Sequence, residues 1–120
     1  MQKINLAPLN SLLFLEDSKG GIPPEPIRGA MIWTTASCIA FACLPEVDGP
    51  TEIVIGQSSE LEPGLLLVFE GELETPSRIV IISGVEIERL LSVDVANPKT
   101  KVKIWYSHPK WPDKVTISVD

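Results

Sequence analysis

The chain has 120 residues, of which 16 are acidic, 10 are basic, 1 is histidine and 2 are cysteine, and its formal net charge is −6. This length fits one domain over residues 1–120, and a hydrophobic content of 44% is enough to build a core. The acidic balance argues against direct nucleic-acid binding, and one histidine excludes reactions and metal sites that need two imidazoles.

The sequence also bears on the compartment. The N-terminal residues lack the continuous apolar core of a signal peptide, and the longest apolar stretch, residues 30–44, is shorter than the roughly 20 residues of a membrane span. Cys38 and Cys43 lie in that stretch, five residues apart, so a strand points their side chains to opposite faces and disfavours a disulfide between them. We expect two buried, reduced thiols, a cytoplasmic protein and no contact with a membrane.

Prolines and glycines divide the first half into short segments rich in valine and isoleucine, which favours strands over helices. Residues 12–16 are predicted as the first strand and residues 19–26, with three prolines and two glycines, as a loop. Residues 30–44 are predicted as one long, bent or bulged strand, or as two strands with a corner near residues 36–37. Residues 45–50 are expected to close a hairpin onto a return strand at 51–56.

The second half continues the pattern after a loop at residues 57–64. Strands are predicted at 65–74, 78–83, 85–93, 101–106 and 114–119, with a break near residues 90–91 and a turn at 97–99. About eight short strands separated by turn signals predict an all-β protein. Its predicted architecture is an antiparallel two-sheet β-sandwich, with a small β-barrel as the alternative.

The segment 65–74 has the clearest two-residue alternation. Leu67, Phe69 and Leu73 are predicted on one face together with Gly71, and the acidic side chains Glu70, Glu72 and Glu74 on the other. Residues 46–88 as a whole carry ten acidic residues and one basic residue.

The three glutamates, about 6.6–6.8 Å apart along one strand face, form a candidate interface for a protein partner with a basic surface. Two alternatives remain open. The glutamates form a solvated face that prevents edge pairing, or they pair across strands with Lys101 and Lys103.

A second candidate site lies at residues 105–113, which concentrate the aromatic side chains. This aromatic loop contains Trp105, Tyr106, His108, Lys110 and Trp111, and its three aromatic rings, Trp105, Tyr106 and Trp111, could form a platform for a carbohydrate or nucleotide ligand. The alternative is a hairpin loop held down by its own tryptophans, in which His108 is a loop residue and not a general base.

The sequence gives little support to an enzyme. It has no glycine-rich phosphate loop, no zinc-type cysteine and histidine spacing and no nucleophile-elbow pentapeptide. We therefore expect no catalytic residue, no metal and no cofactor. A structural subunit that associates with itself is a further alternative.

The order of elements resembles that of the small bacterial competence protein J type. A strand ending in an acid at residues 13–17 and a proline-rich loop precede an apolar segment at 32–41 and a Leu-Pro-Glu…Asp-Gly turn at 44–49. The Phe-Glu-Gly-Glu-Leu run at 69–73 then precedes strands at 79–84 and 101–106. The resemblance implies a compact intracellular β-sandwich that binds another protein, as an inhibitor or immunity-type factor that occludes a nuclease-like partner.

Overall fold

The computed structural model describes residues 1–120, which form ten strands and three short 3₁₀ turns. The strands are β1 (Gln2–Leu6), β2 (Leu12–Asp17), β3 (Ile32–Thr34), β4 (Cys38–Ala42), β5 (Thr51–Gly56), β6 (Leu66–Glu74), β7 (Ile79–Gly84), β8 (Leu91–Asp94), β9 (Lys99–Tyr106) and β10 (Lys114–Val119). The 3₁₀ turns are Leu9–Ser11, Glu46–Asp48 and Ser58–Glu60. The valine- and isoleucine-rich segments thus form strands, as β-branched side chains favour.

The strands form two five-stranded sheets. The first has the order β1-β5-β10-β9-β6 and the second has the order β3-β4-β2-β7-β8. Every neighbouring pair is antiparallel except β5 and β10, which run parallel. The all-β, two-sheet sandwich is confirmed, and the sheets do not close into a barrel.

The core lies between the two sheets. Seventeen buried side chains from both sheets form one cluster. Strand β9 shows how alternation builds it, because Val102, Ile104 and Tyr106 are buried while Lys101 and Lys103, which point to the opposite face, are exposed.

The segment 30–44 forms two strands, which confirms one of the two predicted alternatives. Strands β3 and β4 pair antiparallel around a corner at residues 35–37, and β4 lies between β3 and β2 in the sheet. Strand β1 was not predicted. It is an edge strand that pairs with β5 alone, and Ile4 and Leu6 on one of its faces pack against the core.

Two predicted connections are wrong. Residues 45–50 do not close a hairpin, because β4 and β5 belong to different sheets and this loop crosses between them. Residues 85–93 are not one strand. The Gly84 N–H donates to the Ile87 carbonyl at 2.7 Å, and this turn takes the chain off the sheet until β8 begins at Leu91.

The strand directions place the loops at two opposite ends of the sandwich. Loops 7–11, 43–50, 85–90 and 107–113 meet at one end. The hydrogen bond from Tyr106 Oη to the Ala42 carbonyl, 2.7 Å, joins the sheets there. Corner 35–37 and loops 75–78 and 95–98 lie at the other end.

Candidate functional site

The acidic row, Glu70, Glu72 and Glu74, lies on β6 at the edge of the first sheet, and all three side chains are exposed. Opposite them on β9 stand Lys103, Lys101 and Lys99, in that order. The cross-strand alternative from the sequence is therefore confirmed for Lys101 and Lys103, and Lys99 extends it by one pair.

One of these pairs is a close ion pair, with Lys103 Nζ 3.3 Å from Glu70 Oε2. Both side chains are largely exposed, so the pair is screened by solvent and stabilises the fold by less than about 1 kcal/mol. On the side away from β9, the row faces no further strand, because β6 is the last strand of its sheet. Each carboxylate thus has a lysine opposite it on β9, and at Glu74 the corner at residues 35–37 lies on the other flank, since the Glu74 N–H donates to the Ala36 carbonyl at 2.9 Å.

A bulge changes the face on which the first residues of β6 lie. The register shifts between Leu67 and Phe69, so that Leu67 stands opposite Trp105 and Phe69 opposite Ile104. Leu67 is consequently on the outer face and 52% exposed, whereas Leu73 is completely buried. The prediction that Leu67 lies on the same face as Phe69 and Leu73 is wrong, because the extra residue Val68 reverses the alternation at that point.

The aromatic segment does not form one platform. Tyr106 is completely buried and its hydroxyl bonds to the Ala42 carbonyl. Burial, together with the nearby Cys43, raises the pKa of the Tyr106 phenol above its ordinary value. The expectation that Tyr106 belongs to a surface platform is wrong, since its side chain alternates with those of β9 that face the core.

The other members of the segment lie apart from Tyr106. Trp105 is half-buried on the outer face of β9, where residue Gly64 runs against it so closely that a side chain at position 64 would clash. Trp111 is 54% exposed and lies 5.4 Å from the His108 ring, centroid to centroid. His108 Nδ1 accepts the backbone N–H groups of Lys110 and Trp111, each at 3.1 Å, so its ring closes the loop and His108 is a loop residue as predicted.

An apolar groove that the sequence analysis missed lies where loops 7–11, 43–50 and 85–90 meet. Its volume is about 320 Å³. Its lining residues come from three separate parts of the chain: Leu6, Ala7, Pro8, Leu9, Leu13, Glu46, Gly84, Val85, Glu86, Ile87 and Leu90. We call this cavity the end groove. The apolar residues Val85 and Ile87, which follow β7, were one signal for it, but their proximity to Leu9 depends on the tertiary structure.

The opposite end of the sandwich is polar and closely bonded. Asp17 is buried, and its carboxylate accepts the Ser77 hydroxyl at 2.7 Å, the Ser77 N–H at 3.0 Å and the Lys19 N–H at 3.0 Å. Burial alone would raise the pKa of Asp17, but these hydrogen bonds and the Lys19 charge hold it below 3.8. The buried hydroxyls of Thr75 and Thr100 bond to each other at 2.8 Å. These polar groups are occupied in holding loops together.

The cysteines are free and buried, as predicted. Burial raises the pKa of both thiols to about 12, with the Glu16 carboxylate adding to the effect at Cys38.

No three His, Cys, Asp or Glu side chains stand close enough together to hold a metal ion. The structure has no helix long and apolar enough to cross a membrane.

The architecture matches that of a known protein. It is similar to the crystal structure of ComJ from Bacillus subtilis, described as an inhibitor of the DNA-degrading activity of NucA. The TM-score is 0.73 at 13% sequence identity, and the match covers 99% of this chain and 94% of ComJ. No protein-family model and no curated protein sequence matches the chain. The resemblance to competence protein J proteins is thereby confirmed at the level of the fold.

Proposed function

We propose that this protein is a non-enzymatic cytoplasmic inhibitor that binds a nuclease-like partner with a basic surface. The observation that carries the proposal is the fold shared with ComJ over 99% of the chain, since ComJ is described as inhibiting a DNA-degrading protein. The net charge of −6 supports it. Nucleases hold phosphates with basic residues, so an acidic protein is electrostatically suited to approach them.

The proposed mechanism is occlusion. Glu70, Glu72 and Glu74 would occupy positions on the partner that nucleic acid otherwise fills. Their place on the edge strand supports this role, because all three side chains are exposed and no further strand of the sheet covers β6. The lysines of β9 reduce the long-range field of the row, so its contribution depends on direct contact more than on steering.

Inhibition is tested by affinity capture from a lysate of the source organism, followed by a DNA-degradation assay on the captured proteins. We expect a captured protein that degrades DNA when free and stops doing so when the purified chain is added back. Captured proteins without DNA-degrading activity would contradict the proposal. The apparent mass of the free chain, measured by sedimentation, shows at the same time whether the chain associates with itself.

The role of the acidic row is tested with the triple variant E70Q/E72Q/E74Q. Glutamine removes the charge without placing lysines opposite lysines, which would destabilise the sheet. The matched control, E25Q/E62Q/D94N, makes the same change in net charge at three exposed acidic residues elsewhere. We expect the row variant to bind the captured nuclease at least about tenfold more weakly. Equal weakening in the two triple variants would assign the effect to net charge and not to the row.

A further inference from the structure

The two ends of the sandwich differ sharply in polarity. Of the eleven large apolar side chains that are exposed, seven lie in or beside the loops that meet at the end holding the groove: Leu9, Val47, Leu65, Leu66, Val85, Ile87 and Trp111. The opposite end carries the bonded cluster around Asp17 and Ser77. Exposed apolar side chains concentrated on loops at one end of a rigid sandwich are typical of a binding surface.

The rim of the end groove is acidic. Glu46 and Glu86 line it, and neither a lysine nor an arginine does. Neither carboxylate forms an ion pair within the chain. Val47, which is 94% exposed, stands between Glu46 and Asp48 at the same end. The groove therefore presents apolar surface bordered by negative charges that have no cation beside them, in contrast to the acidic row with its lysines.

The loop that supplies Ala7, Pro8 and Leu9 to one wall of the groove continues in an unusual conformation. Asn10 and Ser11 both have positive φ angles, 58° and 55°, in the left-handed region that residues other than glycine seldom adopt. The Asn10 N–H donates to Glu46 Oε1 at 2.8 Å, and the Ser11 carbonyl accepts the Cys43 N–H at 2.8 Å. These bonds fix loop 7–11 against loop 43–50, so the wall is formed before any ligand arrives.

We propose that the end groove is a protein-docking site whose occupant is a partner segment with apolar side chains flanked by lysine or arginine. The apolar side chains fill the groove between Leu9 and Ile87, and the basic side chains meet Glu46 and Glu86. The inference deepens the proposed function, on which it rests for the existence of a protein partner, and it places the central contact at the end of the sandwich.

The test uses the intact chain and a defined probe. An eight-residue peptide of alternating leucine and lysine is titrated into the protein, and backbone amide shifts are followed by NMR. We expect the largest shifts in residues 7–11, 46–48 and 84–90, and no binding of a peptide that alternates leucine with glutamate. Shifts confined to the acidic row, or equal binding of the two peptides, would overturn the proposal.

Two matched variants extend the test. I87D places a charge in the groove, whereas I22D makes the same change at an exposed isoleucine whose N–H bonds to Ser37 at the opposite end. We expect I87D to weaken binding of the leucine–lysine peptide at least about tenfold and I22D to leave it unchanged. A dimer of the free chain that I87D dissociates would make a second copy the occupant and overturn the proposal. The peptide titration can fail while inhibition of DNA degradation persists, and the peptide can bind although the chain inhibits no nuclease. The two experiments therefore distinguish failure of the docking proposal from failure of the proposed inhibition.

Discussion

Tyr106 offers the sharpest test of how the sandwich is held together. Its ring is completely buried, and its hydroxyl donates to the Ala42 carbonyl at 2.7 Å across the two sheets. Tyr106→Phe keeps the ring but leaves that carbonyl without its donor. Losing one hydrogen bond to a partly buried acceptor costs about 1–2 kcal/mol. With a urea dependence of about 2 kcal/mol/M, the unfolding midpoint should fall by about 0.5–1 M.

The control for Tyr106→Phe is Trp111→Phe, which changes an exposed ring in the neighbouring loop. We expect Trp111→Phe to change the free energy of unfolding by less than about 0.5 kcal/mol. Urea unfolding followed by circular dichroism measures both variants. An unchanged midpoint for Tyr106→Phe, or a larger loss for Trp111→Phe, would refute the assignment of Tyr106 to the core.

The titration of Tyr106 gives an independent check, because it is the chain's single tyrosine. Burial raises its pKa above the ordinary value of 10.0, so the folded protein keeps the phenol neutral. The contribution of the neutral, buried phenol to the free energy of unfolding is complete below pH 10. It is lost as the pH rises toward the pKa that Tyr106 has in the folded state. Tyrosinate absorbance should therefore appear together with the loss of the circular-dichroism signal, and tyrosinate in a fully folded protein near pH 10 would contradict the burial.

Three further predictions concern stability and reactivity. Asp17→Asn should lower the free energy of unfolding by about 2 kcal/mol at pH 7. The difference from the unchanged chain should shrink as the pH falls below 3.8, because the lowered pKa of Asp17 stabilises the fold only while the carboxylate is charged. Urea unfolding at several pH values measures this difference. Cys38 and Cys43 should react with a thiol reagent at pH 8 only when the chain unfolds, since both have a pKa of about 12, and fast labelling of the folded chain would contradict this. Leu73→Ala should lower the free energy of unfolding by about 2–5 kcal/mol, and Leu67→Ala should lower it by less than about 1 kcal/mol, as measured by urea unfolding. Equal losses would mean that no bulge separates the two side chains.

The strand pattern of the fold could be predicted from alternation wherever one face of a strand is buried. Glu70, Glu72 and Leu73 alternate as the structure has them, and the lysines of β9 are placed correctly across the row. Alternation failed at Val68, because a bulge depends on the partner strand and leaves no mark in the sequence of its own strand. The same rule places Tyr106 in the core with Ile104, so its aromatic character alone was a poor guide to exposure.

The connections between strands could not be predicted in the same way. A loop such as 43–50 has the turn residues of a hairpin whether its two strands pair with each other or lie in different sheets. Only the packing of the two sheets decides between these arrangements. The end groove was missed for the same reason. Leu9, Glu46 and Ile87 are far apart in the sequence, and they come together because loops 7–11 and 43–50, which cross between the sheets, meet loop 85–90 at one end.

The size of the groove places a condition on the proposed inhibition. A stable complex buries about 800 Å² on each partner, and a cavity of about 320 Å³ accepts only a few side chains. The contact with a nuclease must therefore include neighbouring loops as well. The large exposed apolar side chains at the same end but outside the groove are Val47, Leu65, Leu66 and Trp111. The lysines opposite the acidic row leave that face with balanced charge, which suits it to solubility and to protection of the edge strand β6. On the two proposals together, we expect the apolar end to form the centre of the contact and the acidic row its border, so I87D should weaken nuclease binding more than E70Q/E72Q/E74Q does.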